Sequence, residues 1–146
     1  MENEDIGYLR KSYDKSKLSL ADVNFQPMDF FKLWFDDALN NKNIEEANAM
    51  TLTTLGLDNY PKGRVVLLKS ITKEGFIFYT NYKSEKGLSI DYHSKVGLSF
   101  FWPALERQVI IKGEIDKISP ADSDNYFSSR PRGSQIGALA SEQSKV

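Results

Sequence analysis

The pattern of apolar and polar residues divides the chain into a polar start, one amphipathic helix and a series of short strands. Residues 1–26 are rich in charge and carry few large apolar side chains, which is typical of a mobile arm. From Pro27 to about Lys42 apolar residues recur every three or four positions, as on one face of a helix. Pro27 suits the first turn of that helix.

Beyond Glu46, short runs rich in β-branched and aromatic residues alternate with turn sequences. The pattern predicts strands in AMTLTTLGL from Ala49, RVVLLKSI from Arg64, FIFYT from Phe76, Val96–Phe101 and Glu106–Ser119, and helices at Ser84–His93 and Pro120–Ser128. Because few helices separate the strands, we predict a mainly β (α+β) fold, a closed or partly closed antiparallel barrel with flanking helices. The length suits a single domain over residues 27–146.

Composition narrows the possible functions. The 19 basic and 20 acidic residues give a net charge of −1, which does not favour a nucleic-acid or membrane partner attracted by the overall field. No cysteine is present, so disulfides and thiolate chemistry are excluded, and one histidine, His93, cannot build a His-rich metal site. We expect no metal, a surface position for His93, and a soluble cytoplasmic protein, since no run approaches about 18 apolar residues.

Two cationic residues lie in an otherwise apolar predicted strand. Arg64 and Lys69 would be costly to bury without a partner, so they either reach solvent at a sheet edge or meet an anion. Residues five apart in a regular strand point to opposite faces. A ligand shared by both would therefore have to wrap the strand, or a bulge would have to break the alternation.

Four segments, kept in order, resemble the pyridoxine (pyridoxamine) 5'-phosphate oxidase family. They are RVVLLK at Arg64–Lys69, FYTNYKSEK at Phe78–Lys86, LERQV at Leu105–Val109 and YFSSRPRGSQIGALASEQS at Tyr126–Ser144. The resemblance implies an antiparallel split β-barrel of the FMN-binding type. It also implies FMN-dependent oxidation of pyridoxamine 5'-phosphate and pyridoxine 5'-phosphate by O2 to pyridoxal 5'-phosphate, giving H2O2, and ammonia from the amine, in vitamin B6 metabolism. The absence of a GxGxxG fingerprint agrees with a mononucleotide cofactor.

The resemblance also implies a homodimer with FMN at the subunit interface. Family members continue into a C-terminal stretch with a Trp and an Arg-x-His motif, which this sequence does not reach at Val146. We therefore expect turnover to be reduced more than FMN binding. The alternatives are an FMN- or pyridoxal-phosphate-binding split-barrel protein with little turnover, or a related flavin reductase.

The same resemblance implies cofactor and substrate contacts for individual residues. The implied FMN contacts are Arg64, Val65, Val66, Leu67, Leu68, Lys69, Tyr79, Thr80, Lys86, Gln108, Gln143 and Ser144. The implied substrate contacts are Arg10, Lys11, Ser12, Tyr13, Lys69, Tyr126, Arg130 and Ser134, with Lys69 and Arg130 as catalytic candidates. Read alone, SSRPRGS is equally a basic surface loop and Gln108 a solvent-facing strand residue. Glu85 stands where the family commonly has a basic residue, so we expect it to point away from the phosphate and FMN to be held less tightly.

Overall fold

The computed structural model describes residues 5–24 and 26–121. It contains a 3₁₀ helix Leu20–Asn24, α1 Pro27–Leu39, β1 Ala49–Leu55, β2 Pro61–Ile71, β3 Phe76–Phe78, α2 Glu85–Tyr92, β4 Lys95–Trp102, a 3₁₀ turn Pro103–Leu105 and β5 Arg107–Glu114. Within these ranges no helix has the length and apolar character needed to cross a bilayer. The predicted helix at 120–128 lies outside the described residues except for its first two positions.

Both predicted helices that fall in the described ranges are present, with small changes at their ends. α1 stops three residues before the predicted Lys42 because Asn40 caps it, its side-chain amide donating to the Asp36 carbonyl oxygen at 2.9 Å. Asparagine side chains compete for backbone groups in this way and so end helices. In α2, Ser84 is the N-cap and its hydroxyl oxygen accepts from the Gly87 backbone N–H at 3.3 Å.

The five strands form one sheet in the order β3-β2-β1-β4-β5. β1 pairs antiparallel with β2 along its whole length and with β4 over 51–53. β3 pairs antiparallel with only the last part of β2, from Leu68 to Ile71. The prediction for β5 was too long, because the strand ends at Glu114 and not at Ser119. Beyond its end, Lys117 forms an ion pair with Asp91 at 3.2 Å instead of continuing the ladder.

The described chain contains two compact groups of residues. The first combines 5–47 with 102–107, and its centre is Trp102, which is 2% exposed. The Trp102 indole N–H donates to the Ala47 carbonyl oxygen at 3.0 Å, and its ring centroid lies 6.2 Å from that of Phe31 and 6.3 Å from that of Phe35. Satisfying the indole N–H in this way allows the large ring to be buried.

The second group combines 48–101 with 108–121 and contains most of the sheet. Alternate residues of β1, β2 and β4 form its apolar core, as the period of a half-buried strand requires. These residues are Met50, Leu52, Val66, Leu68, Leu98 and Phe100. Arg64 falls on the same alternation as Val66 and Leu68, which sets the position of the candidate site.

Candidate functional site

Arg64 lies half-buried, with its guanidinium against β1. Its Nη1 donates to the Leu52 carbonyl oxygen at 3.2 Å and to the Thr54 hydroxyl oxygen. Burial lowers the pKa of Arg64, and the nearby Glu85 carboxylate partly offsets that shift. The two bonds hold the guanidinium in place through acceptors that are not ionised, and no ion pair of Arg64 with a carboxylate occurs within the described ranges.

Lys86 is the second cation of the site and lies in the first turn of α2. Its pKa is lowered first by burial and second by repulsion from the Arg64 guanidinium, while Glu85 acts in the opposite direction. This repulsion and the contact between Lys62 of β2 and Glu85 at the start of α2, at 2.7 Å, place Arg64 and Lys86 in one region of the sheet-containing group. A helix N-terminus with two neighbouring cations is an arrangement that an anion such as phosphate stabilises.

Thr80 adds an unsatisfied polar atom. Its hydroxyl oxygen is buried and has no hydrogen-bond partner among the residues that the structure describes. Buried hydroxyls without a partner are uncommon because each forfeits the free energy of its lost hydrogen bond to water. The guanidinium of Arg64, the ammonium of Lys86 and the hydroxyl of Thr80 are each of a type that a phosphorylated, hydrogen-bonding cofactor such as FMN requires.

Glu85 is neutralised by a residue that the sequence reasoning did not identify. Both of its carboxylate oxygens lie 2.7 Å from Nζ of Lys62. Lys62 precedes Arg64 by two positions in β2, so the two side chains start from the same face of the strand. This spacing of two on a predicted strand is the sequence signal that could have identified Lys62 as a neighbour of Arg64. The pairing places a cation beside Glu85, the carboxylate that acts on Arg64 and Lys86 within the described residues and whose electric field opposes phosphate binding.

Lys69 lies at an irregularity of β2. The register with β3 shifts between Leu68 and Ser70, as in a β-bulge, and Lys69 is the intervening residue. Burial alternates regularly from Arg64 to Leu68 and Lys69 is exposed, so the bulge does not by itself bring Lys69 to the face of Arg64, and a ligand shared by both residues stays a prediction. Val65 and Gln108 are exposed, whereas Leu67 and Tyr79 are half-buried.

The predicted substrate residues of the N-terminal arm lie together, all exposed. Tyr8, Leu9, Arg10, Lys11 and Tyr13 line an open concavity of about 580 Å³. The remaining predicted site residues, which are Tyr126, Arg130, Ser134, Gln143 and Ser144, lie outside the described residues. His93 was expected at the surface; this was wrong, because it is half-buried at the end of α2 and its Nδ1 has no partner in the described part of the chain.

Comparisons with known proteins give a consistent result. The family model described as pyridoxamine 5'-phosphate oxidase matches residues 36–146. A pyridoxine/pyridoxamine 5'-phosphate oxidase of Flavobacterium psychrophilum is 53% identical over 143 residues, which is 98% of this chain and 67% of that protein. A protein of the same name from a Synechocystis species is 47% identical over 146 residues, 100% of this chain and 68% of its own length.

Two solved structures share the fold. The crystal structure of PhzG from Burkholderia lata 383 in complex with tetrahydrophenazine-1-carboxylic acid matches with a TM-score of 0.81 at 23% identity, over 89% of this chain and 65% of that one. A pyridoxamine 5'-phosphate oxidase-related, FMN binding protein from Nostoc punctiforme matches with a TM-score of 0.61 at 14% identity, over 79% and 64% of the two chains. These matches confirm the predicted antiparallel split-barrel fold. The chain spans about two thirds of the length of the curated relatives that it matches.

Proposed function

Because the chain belongs to the pyridoxamine 5'-phosphate oxidase family, we propose that it binds FMN and oxidises pyridoxamine 5'-phosphate and pyridoxine 5'-phosphate to pyridoxal 5'-phosphate. The observation that carries the cofactor assignment is the partly buried pair of cations, Arg64 and Lys86, near the first turn of α2. Its charge and its position at a helix N-terminus suit the phosphate of a mononucleotide.

The proposed contacts with the cofactor are made by the residues that the family resemblance implies. Arg64 and Lys86 bind the phosphate, while the unpartnered Thr80 hydroxyl donates to or accepts from a polar atom of the flavin. Tyr79 packs against the ring system and Gln108 bonds its pyrimidine edge. Val65, Val66, Leu67 and Leu68 contribute backbone and apolar contacts along β2, and Gln143 and Ser144 add contacts from the partner subunit of a homodimer. FMN, when bound, would supply the redox chemistry: two electrons and a proton would leave C4' of the vitamer, a second proton would leave the hydroxyl or amino group on C4', and O2 would take up both electrons and both protons as H2O2, with water hydrolysing the imine from the amine substrate to release ammonia.

The substrate is held by its own phosphate. Tyr126, Arg130 and Ser134 supply a guanidinium fork and two hydroxyls, and Lys69 adds a further cation from β2. Arg10, Lys11, Ser12 and Tyr13 close over the bound vitamer. Lys69 and Arg130 are the residues assigned to orient C4' for reaction, since correct placement of two reactants accounts for much of the rate of such a step. No side chain of this set is required to act as a strong base.

The proposal is tested by aerobic incubation of the FMN-saturated chain with pyridoxine 5'-phosphate, measuring pyridoxal 5'-phosphate and H2O2 together. Equal amounts of the two products, with no turnover of unphosphorylated pyridoxine, are expected. Loss of product on omitting FMN is the required control. Flavin that stays bound through gel filtration without any product would reject the oxidase and identify a cofactor-binding protein of the same family.

The ion pair between Lys62 and Glu85 predicts opposite effects for its two partners on FMN affinity. Glu85→Gln removes a carboxylate that repels the phosphate and is expected to tighten FMN binding about threefold to tenfold. Lys62→Gln leaves the carboxylate uncompensated and is expected to weaken binding by a similar factor. Flavin-fluorescence quenching measures both. Glu74→Gln, at an exposed turn, is the matched control, and identical affinities for all three variants would remove Glu85 from the electrostatics of the site.

The lowered pKa of Lys86 predicts a loss of FMN affinity on the alkaline side. Phosphate binds the protonated ammonium, so affinity is retained at neutral pH and falls as pH rises through the pKa of Lys86 in the free protein, which lies below the ordinary 10.5. Titrations of FMN across this range, with Lys86→Met as the comparison, measure the effect. The wild type should lose affinity at high pH while the variant, already weak, stays flat; parallel curves for the two proteins would contradict the assignment.

A further inference from the structure

Glu106 is an acidic residue in an unusual environment. It follows the 3₁₀ turn Pro103–Leu105 with a φ of 55°, in the left-handed region that residues with a side chain rarely adopt. Its side chain is only 7% exposed, although carboxylates are seldom buried unless they are paired. Such a conformation persists only where surrounding contacts hold it.

The contacts come from the N-terminal arm. Oε2 of Glu106 accepts the backbone N–H of Lys15 at 3.1 Å, and Oε1 lies 3.2 Å from Nζ of Lys11. These bonds lower the pKa of Glu106, with the Lys15 N–H as the largest cause and the Asp14 backbone N–H as a further donor. Nζ of Lys15 in turn donates to the carbonyl oxygen of Ala104, so both sides of the turn contact the arm.

We propose that Glu106 is the docking carboxylate that fixes residues 11–15 of the arm on the Pro103–Leu105 turn and thereby positions the preceding segment. One backbone N–H and one ammonium of the arm converge on this carboxylate, which is the acidic group adjoining the turn. Lys11, held by this ion pair, also lies 5.6 Å from the centroid of the Tyr13 ring. The docked arm presents the concavity lined by Arg10, Lys11 and Tyr13, whose use in substrate binding rests on the proposed function.

Limited proteolysis of the whole chain tests the docking itself and needs no cofactor or substrate. The backbone N–H and the ammonium of Lys15 both contact the turn, so trypsin should cleave after Lys15 more slowly while the arm is docked, and the cleavage rate there reports the released population. Glu106→Gln keeps the size of the side chain but removes its charge, and it is expected to raise the rate at Lys15 about fivefold or more. Glu114→Gln, an exposed glutamate at the end of β5, should cleave like the wild type. Equal rates for all three proteins would overturn the proposal.

A second variant keeps the test decisive if Glu106→Gln does not fold. Lys11→Gln breaks the same ion pair from the arm side, and faster cleavage at Lys15 is again expected, whereas an unchanged rate would count against the docking role.

In the FMN-loaded protein, Glu106→Gln should raise KM for pyridoxine 5'-phosphate several-fold with FMN affinity unchanged. An unchanged KM with a released arm would reject the positioning role. A wild type that binds no vitamer would reject the proposed function, with the cleavage rates still deciding the docking.

Discussion

Replacing Arg64 with methionine is expected to weaken FMN binding about tenfold to 100-fold while leaving riboflavin binding nearly unchanged. A hydrogen bond to a charged group contributes roughly 1.5–3 kcal/mol, and Arg64 is the guanidinium that we propose binds the phosphate. Riboflavin lacks that phosphate and is therefore the internal control for the ring-binding part of the site. The measurement is a fluorescence titration of each flavin against wild type and variant.

The Arg64 result requires two controls. Lys73→Met removes the same charge from an exposed turn and should leave both flavin affinities as they are, since exposed charges separated by more than about 10 Å are largely screened in 0.1 M salt. Arg64→Met also takes a donor from the Leu52 carbonyl and the Thr54 hydroxyl, so the thermal unfolding of each variant must be recorded. An equal loss of FMN and riboflavin affinity would show that Arg64 maintains the fold of the site and does not bind the phosphate.

Trp102→Ala is expected to lower the free energy of unfolding by about 3–5 kcal/mol, the range found when a large buried aromatic is truncated. Trp102 is the largest buried side chain, and its loss would open a cavity beside Phe31 and Phe35 and orphan the Ala47 carbonyl oxygen. Because domains are typically stable by only about 5–15 kcal/mol, this change takes a large share of the total. Chemical denaturation with urea measures it.

Two further variants separate the lost indole hydrogen bond from the lost ring volume and supply an exposed control. Trp102→Phe keeps most of the ring but removes the indole N–H, so it should cost about 1–3 kcal/mol for the unsatisfied Ala47 carbonyl and the smaller ring. Leu39→Ala, at a residue 57% exposed on α1, should change stability by less than about 1 kcal/mol. A Trp102→Ala protein as stable as Leu39→Ala would contradict the assignment of Trp102 as the centre of that core.

Local patterns in the sequence were sufficient to predict most helices and strands of the fold. The spacing of apolar residues located α1, and turn residues separated the strands, because each of these features is decided within a few neighbouring residues. The end of β5 and the position of the bulge at Lys69 were not predictable in this way, since they depend on the registers that β2 and β5 adopt with other strands. The 3₁₀ helix Leu20–Asn24 was also missed, because five residues are too few to show a helical period.

The candidate site was predicted less completely than the fold. The resemblance named Arg64, Thr80 and Lys86, and their charge and position fit the roles it implied. It gave no account of Lys62 or Glu106, whose importance lies in the partners that folding brings to them from 23 and 91 residues away in the chain. The spacing of Lys62 from Arg64 indicates a shared strand face, but the partner that each residue meets depends on which distant segments folding brings together, so only the folded chain shows the pairing.

The most direct test of the account compares FMN with riboflavin for the unmodified chain, because its central claim is that Arg64 and Lys86 form a binding site for the phosphate of a flavin mononucleotide. Equilibrium titrations of both flavins at neutral pH, repeated over a series of salt concentrations, are the measurement. We expect FMN to bind at least about 100-fold more tightly than riboflavin, with the difference shrinking as salt screens the phosphate contacts. Equal affinities at every salt concentration would contradict the claim.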